Sequence, residues 1–342
     1  MRRTGGPEAL VLETLPDPAP GPREVVVAVA HCGVCFHDVV TRNGTLKAGV
    51  ETPFIPGHEI AGTVVALGRE VQGVRIGERV ATTQRFHVCG HCRYCRSARE
   101  PLCAEAVFIG DKGLNGGYAD FVVVAAESLV SLPDGVDFAA ASIAACAIGT
   151  AFHAVVAIGQ VRPAETVLVT GAGGGVGIHA VQIARAAGAT VLAETSTPAK
   201  ADALREAGAH AVILHARGED FSAALRDATD GEGADVVIDT VGTPLFSATR
   251  RSLARGGRWV MVGQLTGDFV PFNPAQLFLR GISLLSSTSV TRDELRRCLA
   301  LLAQGTVRAV LGDALPLSAA AEAHRRLEAG LTPGRMTLVP GS

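Results

Sequence analysis

Apolar positions in the first 132 residues come in short runs cut by glycine and proline, at 25–29, 60–67, 79–82 and 117–124. Runs of that length and punctuation predict β-strands rather than helices. From about residue 166 the pattern changes. Short β-branched runs at 166–170, 190–193, 211–214, 235–239, 259–262 and 282–286 now alternate with stretches of helical period. That alternation predicts βαβ units on a parallel sheet, and six strands make one doubly wound dinucleotide-binding sheet. The tail is mixed, with helices expected over 292–303 and 319–329 and a final strand over 336–339 that rejoins the first region.

At 342 residues and 48% hydrophobic, the chain is long enough for two cores. The formal net charge of -2 and the dispersed lysines and arginines give no footprint for nucleic acid or an anionic membrane. A small-molecule partner is the expectation that remains. No run of eighteen apolar residues occurs, since even 138–158 is interrupted by Ser142, Gly149, Thr150 and His153. The two arginines at positions 2 and 3 have no apolar segment behind them, so a cytoplasmic location is expected. Glycine is abundant, at 40 residues, yet shows no fixed period, so no repeat architecture is expected.

Eight cysteines in such a chain point to metal before disulfides. Cys89, Cys92, Cys95 and Cys103 place four soft ligands in Cys-x2-Cys-x2-Cys-x7-Cys spacing. A closed tetrahedral zinc site suits them, with no position left for water and a role in holding a lobe in shape. Redox-active thiols are one alternative. A zinc ribbon gripping nucleic acid is another, although Arg93, Arg96 and Arg99 lack aromatic stacking partners in number.

Three other segments carry weaker signals: Cys35 in Gly-Val-Cys-Phe-His-Asp, His58 in Pro-Gly-His-Glu, and Cys146 in Ala-Cys-Ala. In the order Cys-x-x-Asp, Gly-His-Glu, four clustered cysteines and a lone cysteine before a glycine-rich turn, the chain resembles the zinc-dependent medium-chain dehydrogenase/reductase family. The resemblance covers nearly the whole length. It implies an α/β fold in which a β-rich GroES-like catalytic domain, residues 1–149 and 288–342, is interrupted by a Rossmann coenzyme domain over 150–287. It also implies that Cys35, His58 and Cys146 bind a catalytic zinc with one open position, that Glu59 is an exchangeable ligand, and that Asp38 fixes the His58 tautomer. Two zinc ions per chain follow. Cys32-x-x-Cys35 could otherwise be a redox pair, and Cys298 is expected in the core.

The coenzyme signal is Gly171-Ala172-Gly173-Gly174-Gly175-Val176-Gly177, running from an apolar strand into a helix expected near Ile178. Glycines there let the backbone approach a pyrophosphate at the helix N-terminus. In length the turn resembles those of quinone oxidoreductases and enoyl reductases. The resemblance adds Thr150 to the coenzyme site and puts Thr195 where NAD-specific members carry an acid. Ser196, Thr197 and Lys200 then suit a 2′-phosphate, which favours NADP(H) over NAD(H); if Glu194 took the acid's place, NAD would be favoured.

Alcohol-oxidising relatives carry Ser or Thr two residues after the first zinc cysteine, where this chain has His37, and a further relay histidine where it has Val40. His37 could be the acid or base itself, or a structural residue. The favoured activity is hydride transfer between a nicotinamide and an alcohol, aldehyde or ketone. The alternative is NADPH-dependent 1,4-reduction of an enone or enoyl-CoA such as acryloyl-CoA. A coenzyme-binding sensor without activity is the third reading. The resemblance also implies a homodimer or homotetramer through the outer edge of the coenzyme sheet near 282–286.

Overall fold

The structure is a computed structural model that describes residues 1–45 and 50–341. The chain divides into two compact units, Met1–Gly149 with Ser289–Ser342, and Thr150–Thr288.

The first unit is built on strand β1 (Glu24–Gly33), with β2 (Glu59–Leu67) antiparallel on one side. On its other side the first half of β1 pairs with β6 (Phe121–Ala125) and its end pairs with β15 (Arg335–Val339). The seven-stranded sheet continues through β3 (Arg79–Thr82) and β7 (Leu129–Ser131), and β14 (Leu311–Pro316) closes the opposite edge. Alternating valines of β1, β2 and β6 bury one face with Met336 and Leu338, which is why a strand from the end of the chain completes the sheet. Strands β4 (Arg85–His87) and β5 (Val107–Phe108) form a small ribbon flanking the four-cysteine segment.

The strand expected over 117–124 begins only at Phe121, because the amides of Gly117 and Tyr118 donate to the carbonyls of Gly57 and Pro56 instead of joining the sheet. Strand β14, which the hydropathy pattern did not reveal, is mostly exposed and ends on Pro316.

The second unit holds β8 (Thr166–Thr170), β9 (Thr190–Thr195), β10 (Ala211–Leu214), β11 (Ala234–Asp239), β12 (Leu253–Met261) and β13 (Ser283–Ser286). All pair in parallel, in the order β10-β9-β8-β11-β12-β13. The strand order reverses between β8 and β11, so the glycine turn after β8 lies at the switch point where such sheets bind ligands. Leu168, Leu192, Phe221, Phe246 and Trp259 fill the core. The helix after β8 starts at Gly175 and not near Ile178. Despite glycine's poor helix propensity, Gly177 is needed inside the first turn: a Cβ there would meet the Gly171 carbonyl oxygen. No helix among the described residues is long and apolar enough to cross a membrane.

Candidate active site and metal centres

Strand β1 ends in Gly33, whose register partner is Glu59 at the start of β2. A Cβ on Gly33 would lie 2.3 Å from a Glu59 carboxylate oxygen, so only glycine lets the two strands deliver Cys35 and Glu59 to one point. The chain then turns into the helix Phe36–Arg42. Cys35 caps that helix by accepting from the His37 amide, and Asp38 accepts the Cys35 N–H at 3.0 Å. Cys146 arrives from a different direction, inside the π-helical stretch Ala144–Ile148; such widened turns frequently occur at functional sites.

The structure brings Cys35, His58, Glu59 and Cys146 together, with one potential ligand atom of each within 4.8 Å of all the others and every residue buried. The Cys35 and Cys146 sulfurs stand 3.8 Å apart. A tetrahedron of thiolates about 2.3 Å from zinc has an edge of about 3.8 Å, so the sulfurs already have the spacing that ion requires. His58 Nδ1 faces Asp38 at 3.1 Å, which leaves a buried Nε2 without a hydrogen-bond partner. Glu59 has no well-aligned hydrogen bond to either carboxylate oxygen, and its charge is met by Arg335 at 3.1 Å. Buried atoms left in this way are the mark of a site built for a cation.

The electrostatics agree. The hydrogen bond from Cys146, helped by Arg335 and opposed by burial, holds the Cys35 thiol well below its ordinary range, while the same bond and burial push Cys146 well above it. Burial raises Glu59 to about 7 against the pull of Arg335. For His58, burial favours the neutral ring but the Asp38 carboxylate outweighs it and holds the imidazole above its usual range.

Arg335, at the start of β15, is a site residue the sequence reading missed. Its guanidinium spans Glu59, the Cys146 sulfur at 3.9 Å and the Val34 carbonyl at 3.3 Å. The available signal was a charged residue at the start of a buried strand. Phe108 was missed as well: its ring packs on both His37 and His58, with centroids 4.7 and 4.9 Å away. His37 is partly exposed and its Nε2 lies 3.7 Å from Asp111, whose own acidity is increased by that partner despite burial. Cys32 lies outside the cluster, its thiol directed at the Gly33 carbonyl, and Cys298 is buried in the core.

Cys89, Cys92, Cys95 and Cys103 form a second cluster, and all are free thiols. Neighbouring sulfurs stand 3.6 and 3.9 Å apart, and amides of Cys89, Cys92 and Cys95 donate to sulfurs of Cys103, Cys89 and Cys92. Such donors stabilise thiolates; the Cys95 amide is the largest influence bringing Cys92 down to about 6. The four sulfurs thus fit a zinc ion with no open position.

In the second unit, Gly171 has φ 60° and packs against Thr240 and Val241, where no side chain would fit. Around Gly174 the nearest atom to an added Cβ is 3.4 Å away, so its backbone lies open to a ligand. Val176 and Gly177 follow Gly175 in the first turn of the helix, whose N-cap is Gly174. The Lys200 side chain lies across Gly173 and is nearly buried. Thr195 ends β9, its hydroxyl accepting the Thr197 amide, and Ser196 follows half-buried. Thr150 is buried in the short helix Gly149–Phe152. One of the Glu194 oxygens accepts the Gly171 amide at 2.7 Å and the other pairs with His215 at 2.5 Å, which ties the glycine turn to the end of β9.

Residues 21–134 match the family described as alcohol dehydrogenase GroES-like domain, and residues 175–304 that described as zinc-binding dehydrogenase. The chain belongs to the zinc-dependent medium-chain dehydrogenase/reductase family of oxidoreductases, which use zinc and a nicotinamide coenzyme. An alcohol dehydrogenase of Geobacillus stearothermophilus is 32% identical over 315 residues, covering 92% of this chain and 91% of its own length. An acryloyl-coenzyme A reductase of Sulfurisphaera tokodaii is 29% identical over 337 residues, covering 98% of each chain. Among solved structures, AibC superposes with a TM-score of 0.91 at 44% identity, over 100% of this chain and 94% of that one. An NAD-dependent alcohol dehydrogenase gives 0.91 at 34% identity, over 100% and 98%.

Proposed function

We propose that this protein is an NADP(H)-preferring oxidoreductase that moves a hydride between the nicotinamide and the oxygen-bearing carbon of an alcohol, aldehyde or ketone. The convergence of Cys35, His58 and Cys146 in one buried set beside Glu59 carries this reading. Those three residues hold one zinc ion with Glu59 as an exchangeable ligand, and Cys89, Cys92, Cys95 and Cys103 hold a second. When bound, the first ion supplies Lewis acidity toward the substrate oxygen and the coenzyme supplies or takes the hydride.

The chain's own residues do the rest. Asp38 keeps a proton on Nδ1 of His58 and so presents Nε2 as the ligand atom. Arg335 holds the Glu59 carboxylate near the sulfurs and favours its charged form against burial. His37, against Phe108 and with Asp111 beyond Nε2, takes the place of the absent hydroxyl relay and passes the alcohol proton toward solvent. Lys200 across Gly173 gives the 2′-phosphate a cation, while Glu194 is engaged elsewhere and Thr195 carries no charge. This supports NADP(H).

The substrate is a small molecule, and neither nucleic acid nor membrane is a partner. We place the protein in the reducing cytoplasm, where zinc-ligating cysteines stay reduced. A homodimer or homotetramer forms through the β13 edge, where Phe269, Phe278 and Leu279 are exposed nearby at 98%, 69% and 71%. The reading is tested by NADPH-dependent reduction of saturated aldehydes, which Cys146→Ser must abolish while leaving the fold and one zinc in place.

A second reading, 1,4-reduction of an enoyl thioester, is favoured by the absent hydroxyl relay and by likeness to acryloyl-coenzyme A reductases of Sulfurisphaera tokodaii and Metallosphaera sedula. In that reaction His37 is the candidate proton donor to the α-carbon.

A further inference from the structure

A continuous line of polar groups leads from the metal cluster to the C-terminal helix. His58 Nδ1 meets Asp38 Oδ1 at 3.1 Å, the Tyr118 hydroxyl meets Asp38 Oδ2 at 3.3 Å, and His324 Nε2 meets the same hydroxyl at 3.1 Å. His324 Nδ1 then meets Arg42 Nη1 at 3.2 Å, and Arg42 Nη2 ends on Glu328 at 2.7 Å. Asp38, Arg42 and His324 are at most 1% exposed and Tyr118 is buried, whereas the Glu328 side chain is 35% exposed.

The direction of every bond follows from one residue. A guanidinium only donates, so Arg42 makes Nδ1 of His324 the acceptor and leaves the ring proton on Nε2. That proton is donated to the Tyr118 oxygen, whose own hydrogen then has only Asp38 to go to. Asp38 thus receives Tyr118, the Cys35 amide and His58 together. Burial, with Arg42 acting the same way, holds His324 down to about 4, so its ring is neutral at ordinary pH as this ordering requires.

We propose that Tyr118 and His324 are positioning residues for the catalytic zinc, acting through Asp38 on His58, and that the Arg42–Glu328 pair ties the C-terminal helix Ala320–Ala329 to that site. This rests on Cys35, His58 and Cys146 holding zinc. Tyr118 orients the Asp38 carboxylate; Asp38 orients the imidazole; and the grip on the metal depends on a helix that supplies no ligand. Buried partners of ligand side chains are worth tens-fold in metal retention, and a residue one step further out a smaller factor.

The test is the rate at which a chelator removes each zinc from the intact protein, with the four-cysteine site as internal reference. Tyr118→Phe is expected to speed release from the Cys35 site by about 10-fold, with the other site unchanged. It should also shift the ligand-field bands of cobalt(II) placed there. Glu328→Gln keeps an amide oxygen to accept from Arg42 at the partly exposed end and decides the matter if Tyr118→Phe does not fold; about 2-fold faster release is expected. Release within experimental error of wild type in Glu328→Gln and in folded Tyr118→Phe, or equal acceleration at both sites, overturns the proposal. A wild-type protein holding one zinc, released only from the four-cysteine site, overturns instead the metal assignment beneath it.

Discussion

Lys200→Met separates coenzyme recognition from folding, because the two respond with opposite sign. In the wild type the lysine stem lies on Gly173, with Cδ 2.4 Å from where a Cβ would stand, and methionine keeps an unbranched stem there. Only the charge is removed. Among the described residues no carboxylate pairs with that ammonium, and burial, followed by the repulsion of Arg217, lowers its pKa. A lysine pKa depressed in the folded state means that the charge opposes folding at neutral pH, so the variant without coenzyme should melt at the wild-type temperature or slightly above it. A 2′-phosphate reverses the balance. One charge-assisted hydrogen bond is worth about 1.5–3 kcal/mol, so the Kd for NADPH should rise about 10- to 150-fold while that for NADH moves less than about 3-fold. At a coenzyme concentration 100 times the wild-type Kd, the stabilisation of about 2.7 kcal/mol falls to about 0.4 kcal/mol for a 100-fold loss. Fluorescence titration with both coenzymes and melting curves with and without NADPH measure these quantities. Equal losses for NADPH and NADH, or an unchanged NADPH Kd, refute the assignment of Lys200 to the phosphate.

Other outcomes follow from the same structure. Cys89→Ser should leave one zinc by metal analysis and reduce thermal stability, because a closed zinc site contributes folding free energy; retention of two would refute the ligand set. Arg335→Met should destabilise the protein by about 3–5 kcal/mol in denaturant unfolding at pH 8, where the buried Glu59 carboxylate loses its partner, and by less at pH 6, where Glu59 is protonated. Because His324 is depressed from 6.5 to about 4, the unfolded chain binds more protons between those values, so its contribution to stability is complete above pH 6.5 and is lost as pH falls toward 4. The loss is about 3 kcal/mol, and His324→Gln should flatten that part of the stability–pH curve. Phe278→Asp should shift sedimentation toward smaller species if the β13 edge is the oligomer interface.

What the sequence disclosed was set by local chemistry. Helix Arg292–Ala303 has the bounds read from its period because Thr291 and Glu294 form a capping box at its start. Strand β8 likewise has the expected ends, since its five apolar or β-branched residues meet a glycine. The four-cysteine spacing and the segments around Cys35, His58 and Cys146 were legible because ligand chemistry restricts residue type and order. Arg335, Phe108, Asp111 and the Tyr118–His324 pair were not, because each reaches the site only through sheet pairing or a loop closure across many residues. Tyr118 was read as part of a strand, and nothing in its neighbourhood reveals that Pro56 takes its amide. The contacts of Glu194 with the Gly171 amide and His215 were equally out of reach, because they depend on how β9 and β10 pair beside the turn.

Hydride transfer to a carbonyl carbon at a Cys35–His58–Cys146 zinc site is tested by following the label from 4-deuterated NADPH into a conjugated aldehyde, with a saturated aldehyde and an enoyl thioester run beside it. Deuterium on the former carbonyl carbon, with the saturated aldehyde turned over, is the predicted result. Deuterium on the β-carbon, with saturated aldehydes inert, contradicts it and makes this protein an ene-reductase with His37 as the proton donor to be tested.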